Sequence, residues 1–409
     1  MIYLVTKVKA LFKSSKYECI SVERSKEIIN SMKKIRGLDT ETMGLNPHTK
    51  ALLTVQIGTK ENQVVIDCTT INIWEYKDIL EDSTILYILA NAKFDTQFFF
   101  KHNIILSKVW DVMLAEKIRY LGYPKGSFHA DLKTLEYKYL NKYMDKTVRG
   151  KITKVGLTEE VIVYAANDVV DLEDLMNAQI KALEKEDLVK AVQLENRFVI
   201  PLAYMEWCGV KLDVEKWKAK MVKDAKRLKI ALTKLNNWVV KHYGKDSRFT
   251  KVDLQGDLFS GFNTDPQCAI NWNSAAQVIP LFKAIGINTS TIDSKTKKLK
   301  DSVDAKLLEP QAKDFEILPI YLDYKEAQKV CSTYGQNWLD QVNPETGRVY
   351  TKFNQLGTNT ARISSGGKDK NAGIEYVNFL NLPADPETRS CFIAEKGNSW
   401  ISIDYSGKK

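Results

Sequence analysis

Asp39 and Glu41 stand two positions apart in residues 35–45, I-R-G-L-D-T-E-T-M-G-L. If this segment is a strand, the alternation of side chains puts both carboxylates on one face. Adjacent anions repel, and burying them is costly unless cations neutralise them. One reading is a shared divalent-metal site; the other is two solvated acids on an edge strand. Asp-x-Glu alone does not separate the two, so the rest of the chain must. Asp95 follows a strand-like segment in A-N-A-K-F-D and opens an apolar helix. Tyr164 and Asp168, in Y-A-A-N-D, lie four residues apart and therefore on one helix face. Hydrolysis of a phosphodiester by two metals needs several carboxylates around cations about 3.5–4 Å apart, plus a group that positions the attacking water. Asp39, Glu41, Asp95 and Asp168 supply the carboxylates. Tyr164 can hydrogen-bond that water, although a phenol with a pKa near 10 is a poor base unless metals acidify the water. Singly, each residue has an ordinary alternative: Asp95 as a helix cap, Tyr164 as a core aromatic.

The donor types narrow the choice of metal. The six cysteines are scattered without paired spacing, and the four histidines are all separated in sequence. Reduced thiols in a cytoplasmic setting are expected, and a zinc site is not. An oxygen-rich site favours Mg²⁺ or Mn²⁺, two ions if both catalytic positions are filled. The chain start, M-I-Y-L-V-T-K-V-K, is too soon charged for a signal peptide, and no run approaches the roughly 20 apolar residues that span a bilayer.

The hydrophobic pattern predicts the scaffold. Strands are expected over 2–8, 17–22, 35–45, 52–57, 63–67 and 85–90, with helices over 25–34, 131–140 and 159–183. Strands in succession and then helices predict an α/β domain, a mixed sheet flanked by helices. From residue 194 the chain turns helical, and Met221, Ala225, Leu228, Leu232, Leu235 and Val239 form a heptad seam on one long helix. Its outside is basic: residues 211–248 hold twelve Lys or Arg against four Asp or Glu, nearly the whole net charge of +9. That excess is either a solvated helix face or a surface for a polyanion, carried by Lys223, Lys226 and Arg227. Lys297 and Lys298 form a second basic knot, and residues 249–266 read as a polar loop. At 409 residues the chain has room for two or three domains with 44% apolar content, ordinary for a soluble protein.

G-L-D-T-E-T, A-N-A-K-F-D and Y-A-A-N-D resemble the three exonuclease motifs of the DEDD superfamily, in the subgroup with tyrosine in the third. The resemblance implies an RNase H-like fold and removal of nucleotides from 3′ ends. Asp39, Glu41, Asp95 and Asp168 would be metal ligands and Tyr164 would orient the water. Asp111, in V-W-D-V-M-L-A, resembles a helix start of that family and reads as structural.

The second half resembles family A DNA polymerases, the group of bacterial DNA polymerase I. E-W-C-G-V-K-L-D at 206–213 resembles the entry to the thumb, and I-N-W-N-S-A-A-Q at 270–277 a thumb segment. T-G-R-V-Y-T-K-F-N-Q-L-G-T-N-T-A-R-I-S-S from Thr346, N-F-L-N-L-P at 378–383 and T-R-S-C-F-I-A at 388–394 resemble stretches leading into the palm. The family pattern would set Arg362, Asn378, Asn381 and Arg389 along primer-template DNA, with ordinary loop and cap duties as their alternative. I-S-I-D-Y-S puts Asp404 where the family keeps its first palm metal ligand, after which the family's glutamine and glutamate give way to Gly407 and two lysines. The expected organisation is therefore an exonuclease domain over 1–192, a helical thumb over 193–341 and an incomplete α+β palm over 342–409. Fingers and the second palm aspartate are expected on a second chain or an interrupted continuation, and polymerisation only with them. Single-stranded DNA 3′ ends and primer-template duplex are the expected partners, in the cytoplasm of a bacterial or virus-infected bacterial cell. Two rivals stand beside this reading: an RNA exonuclease of the ribonuclease D kind, and a non-catalytic DNA-binding subunit.

Overall fold

A computed structural model describes residues 1–124, 128–143, 148, 150, 152–245, 247–252, 265–293, 296–369 and 373–403. They fall into two compact units, one of residues 1–210 with 350–381, the other of residues 211–349 with 382–409.

The first unit is built on a seven-stranded sheet of β1 (Ile2–Val5), β2 (Glu18–Ile20), β3 (Ile35–Thr42), β4 (Leu52–Gly58), β5 (Gln63–Asp67), β6 (Leu86–Leu89) and β7 (Val109–Asp111), in the order β2-β1-β5-β4-β3-β6-β7. It is mixed as expected: β4 runs antiparallel to both β3 and β5, and the remaining neighbours are parallel. Its central strands read as continuous apolar runs because both faces are covered; every residue of β4 and β5 is buried. The covering helices are α1 (Val22–Ser31), α2 (Ala92–Phe100), α3 (Val112–Arg119), α4 (Leu132–Leu140), α5 (Glu159–Asn167), α6 (Leu172–Lys185) and α7 (Val189–Cys208). Helix α1 starts three residues earlier than its periodicity predicts, because Ser21 caps it by accepting from the Arg24 amide. Phe98 and Phe99 of α2 are fully buried in the core beside Leu38, Tyr87 and Val199, so truncating either ring to alanine costs about 3–5 kcal/mol.

The helix predicted over 159–183 is two helices, broken between Asn167 and Leu172. No proline or glycine marks the break; a tertiary contact makes it. Val169 lies against Gly37 of β3 and Gly58 of β4, and a Cβ at Gly37 would sit 2.6 Å from the Val169 carbonyl oxygen. Only glycine lets the broken turn approach the sheet that closely.

The second unit centres on α8 (Val214–Tyr243), α9 (Ala275–Ala284) and α10 (Ile317–Thr333). Asp213 caps α8 through the Lys216 amide. Leu235 and Val239 are fully buried with Ala231, Phe282, Ile317 and Tyr321. The heptad seam holds only over its C-terminal part: Met221 is half-buried and Ala225 exposed, where with Val214, Val222 and Leu339 they line an open apolar groove. The reason is length, since α10 has 17 residues against 30 in α8 and covers only part of it. A second cluster groups Trp217, Trp338 and Phe392, tilted or edge to face with ring centroids 5.3–5.9 Å apart, and Phe392 belongs to a small sheet in which Val210–Leu212 lies between Arg348–Val349 and Phe392–Ile393. Among the described residues no helix is long and apolar enough to cross a membrane.

Candidate active site

Strand β3 carries Asp39 and Glu41 into the heart of the first unit, paired with Gln56 and Thr54 of β4 in register. The two carboxylates do share a site. Each of Asp39, Glu41 and Asp168 offers a carboxylate oxygen within 4.8 Å of the others, with Asp39 half-buried and the other two buried. Asp168 reaches it because α5 ends there: its amide is bonded to the Tyr164 carbonyl as the helix's last turn, and the chain then breaks away. Thr158 caps the other end of α5 through the Val161 amide. Gln56 donates from Nε2 to Asp39 Oδ2 at 2.8 Å, fixing that carboxylate from the neighbouring strand. Immediately beyond the site the register shifts by one residue: Glu41 pairs with Thr54 and Thr42 with Leu52, leaving Leu53 of β4 as the extra residue.

Asp95 stands on the first turn of α2, 2% exposed, outside the three-carboxylate group. Thr40, on the alternate face of β3, donates from its hydroxyl to Asp95 Oδ1 at 2.6 Å. Burial pushes the Asp95 carboxyl well above the usual carboxylate range, the charge of Asp39 adds to that, and the Thr40 bond opposes it. Asp95 thus adds a buried acid close to Asp39. All-oxygen donors, closely grouped and partly shielded from water, suit hard divalent cations rather than zinc. Tyr164, 7% exposed, packs one turn before Asp168 with its ring against Leu53, Ile152 and Val161.

Helix α2 is held at its start by Asp111. That side chain caps α3 by accepting from the Met113 and Leu114 amides. It also accepts from Asn91 and Ala92 at 3.2 and 2.9 Å, ahead of the turn that presents Asp95. Asn91 takes the left-handed conformation there, φ +73°. Asn196 of α7 accepts from the Asp111 amide at 2.7 Å, locking β7, α2, α3 and α7 at one point. Thr40, Gln56 and Asn196 were not among the residues the sequence singled out. Their one signal is polarity in a buried run: Gln56 interrupts the apolar L-L-T-V-Q-I and is fully buried.

The residues expected at DNA are spread over both units. In the first, Arg362 is exposed on the loop after Phe353–Asn354 and bonds Thr358 through its backbone. Asn378 spends its side-chain oxygen on local structure, accepting from the Ser365 hydroxyl and from the Leu380 and Asn381 amides, while Asn381 is exposed. In the second, Lys226, Lys297 and Lys298 are exposed, the last two between Ser290–Ile292 and Leu299–Asp301. Lys223 is paired with Glu387, and Arg227 grips Asp323 and Glu326 of α10 at 2.6 Å each. Arg389 is exposed and donates to the Pro383 carbonyl at 3.2 Å. Asp404 lies outside the described residues.

Comparison with known proteins follows the same division. A family profile described as 3′–5′ exonuclease matches residues 19–183, and one described as DNA polymerase family A matches residues 262–408. DNA polymerase I of Aquifex aeolicus is 27% identical over 390 residues, which is 90% of this chain and 57% of that protein. DNA polymerase I of Borreliella burgdorferi is 27% identical over 406 residues, 93% of this chain and 39% of that protein. The chain thus spans about half the length, or less, of these relatives. Among solved structures, the polymerase domain of Pol1 from M. smegmatis, in complex with primer-template DNA and dNTP, superposes with a TM-score of 0.60 at 18% identity, over 88% of this chain and 55% of that one. The mixed sheet with its flanking helices is the RNase H-like fold of such exonuclease domains, and the helical region after it follows the polymerase fold. The chain belongs to DNA polymerase family A, with that family's 3′–5′ exonuclease domain and part of its polymerase domain.

Proposed function

We propose that this chain hydrolyses nucleotides from the 3′ ends of DNA, as the proofreading activity of a polymerase that replicates or repairs DNA. The observation that carries the reading is the meeting of Asp39, Glu41 and Asp168 within 4.8 Å. The buried Asp95 beside Asp39 supports it. These four carboxylates would hold two Mg²⁺ or Mn²⁺ ions. Bound there, such ions would acidify the attacking water and offset the charge on the departing 3′ oxygen. The protein's own part is positional. Gln56 and Thr40 set the orientation of Asp39 and Asp95 before substrate arrives. The Tyr164 hydroxyl orients the attacking water, and the packing of its ring against Leu53 and Val161 keeps the phenol in one place.

The functional divisions are a nuclease domain over 1–192, a thumb over 193–341 and the start of a palm over 342–409, in which Asp404 is a ligand of the polymerase metal site. Primer-template duplex is the ligand of the basic thumb, gripped through phosphates by Lys223, Lys226, Arg227, Lys297 and Lys298, with Arg362, Asn378, Asn381 and Arg389 along it. A part in nucleotide addition is proposed for residues 262–408, which match the DNA polymerase family A profile. The setting is the cytoplasm of a bacterial or virus-infected bacterial cell.

The deciding assay offers the purified chain single-stranded DNA and single-stranded RNA of the same sequence, labelled at the 5′ end, in Mg²⁺. Stepwise shortening of the DNA, stopped by EDTA, is the expected result. Strong preference for RNA would favour the ribonuclease D kind of enzyme instead, and binding without cleavage of either would leave the non-catalytic subunit.

A further inference from the structure

Resting on the nuclease reading above, we propose that the pair of buried Glu206 and half-buried Lys93, clamped to the backbone of Phe353, is a positioning device that holds α2 and its Asp95 in the geometry for metal binding. All three residues belong to the first unit although 260 positions separate Lys93 from Phe353. Glu206, at the end of α7, is 7% exposed and is bonded on both carboxylate oxygens. One accepts from Lys93 and from the Phe353 amide, the latter at 2.5 Å; the other accepts from Gln97 Nε2 at 2.5 Å. Lys93 closes the ring by donating to the Phe353 carbonyl at 2.5 Å. Burial lowers the Lys93 ammonium from its ordinary value while Glu206 works against that.

Lys93 and Gln97 flank Asp95 in α2, two residues away on either side. Residues i−2 and i+2 on a helix point away from residue i, so the clamp grips the side of α2 that turns from the carboxylate. Asp111 ties the first amides of the same helix. With both ends of its first turns held, α2 has little freedom to rotate Asp95 out of the site. The grip extends along the segment containing Phe353. Gln355 donates to the Glu195 carbonyl and carboxylate at 2.7 and 2.5 Å, and Leu356 packs against the nuclease core. A segment matched by the polymerase profile thereby completes the support of the nuclease helix.

Groups that orient metal ligands typically change metal affinity or activity by about 10–100-fold when removed. The test uses the full chain with two variants, Glu206→Gln and Gln355→Ala, the second at a half-buried position that leaves the Glu206–Lys93 pair intact. Mn²⁺ binding is measured by titration calorimetry, kcat and KM on a single-stranded DNA 3′ end, and unfolding in EDTA. Glu206→Gln is expected to weaken Mn²⁺ binding and lower kcat, each by about tenfold or more, with KM within about twofold. Gln355→Ala is expected to move both in the same direction by less, with wild-type unfolding in EDTA. Unchanged Mn²⁺ affinity and kcat in Gln355→Ala, together with the same in any folded Glu206→Gln, would overturn the proposal. If the wild-type chain cleaves no DNA, the nuclease reading fails, and the Mn²⁺ titrations still decide the clamp.

Discussion

Asp95 is the residue on which the site's electrostatics turn. Its carboxyl is driven upward first by burial and then by Asp39, with the Thr40 hydroxyl pulling the other way. For an acid whose value is raised in the fold, stability is fully present below the unfolded value, near 3.8, and is lost as pH rises through the folded value. At neutral pH without metal, an ionised Asp95 is therefore a cost to the folded unit. Asp95→Asn should raise the unfolding temperature measured in EDTA at neutral pH, narrow its dependence on pH above the unfolded value, and abolish cleavage in Mg²⁺. A lower unfolding temperature in EDTA would mean that the carboxylate is compensated by something other than metal. Of the five residues proposed for the site, Asp39, Glu41 and Asp168 meet within 4.8 Å; all five were legible as candidates in the sequence because each sits in a short local pattern: two acids on one strand face, an acid opening a helix, a tyrosine and an acid one turn apart. Thr40, Gln56 and Glu206 were not, because their partners are 55, 17 and 147 residues away and no spacing encodes such meetings.

At the scale of elements, the central fact is the break between α5 and α6. The hydrophobic period runs on through residues 159–183, so a single helix was the natural reading, yet Asp168 faces the site only because the helix stops. What stops it is Val169 pressed on Gly37 and Gly58, a contact that no local propensity announces. Gly37→Ala puts a Cβ 2.6 Å from a backbone oxygen, an overlap that a flexible side chain cannot absorb. We expect it to destabilise the unit by about 1–3 kcal/mol, the usual cost of overpacking, and to weaken Mn²⁺ binding by shifting Asp168. Urea unfolding and a Mn²⁺ titration read the two effects; wild-type values in both would show that the close approach is not needed. The sheet was better anticipated than the helices, since the buried strands are short apolar runs of β-branched residues. The heptad seam of α8 was over-extended for the opposite reason: periodicity reports which face is apolar, not how far a partner reaches.

Over the whole molecule, charge and chemistry divide between the two units. The grouped carboxylates of Asp39, Glu41 and Asp168 lie in the first, and the strongest excess of lysine and arginine in the second. Not all of those cations are equally available. Arg227 is engaged by Asp323 and Glu326 and Lys223 by Glu387, whereas Lys226, Lys297 and Lys298 are exposed. Duplex DNA binding should weaken as salt rises, and each of Lys226→Gln, Lys297→Gln and Lys298→Gln should reduce the slope of log affinity against log salt by about 1. Arg227→Gln should change that slope less, because the guanidinium first has to leave its two carboxylates. Equal slopes for all four variants would contradict this ranking, and fluorescence anisotropy over a salt series measures it.

Asp39 is central to the proposed metal-dependent nuclease, and one measurement reaches it directly. Wild-type chain and Asp39→Ala are compared on a 5′-labelled single strand of DNA in Mg²⁺, with binding to the same strand measured in EDTA. Progressive shortening from the 3′ end by the wild type, and its loss in Asp39→Ala with DNA binding retained, is the predicted result. Cleavage by Asp39→Ala at the wild-type rate would contradict the assignment of the site.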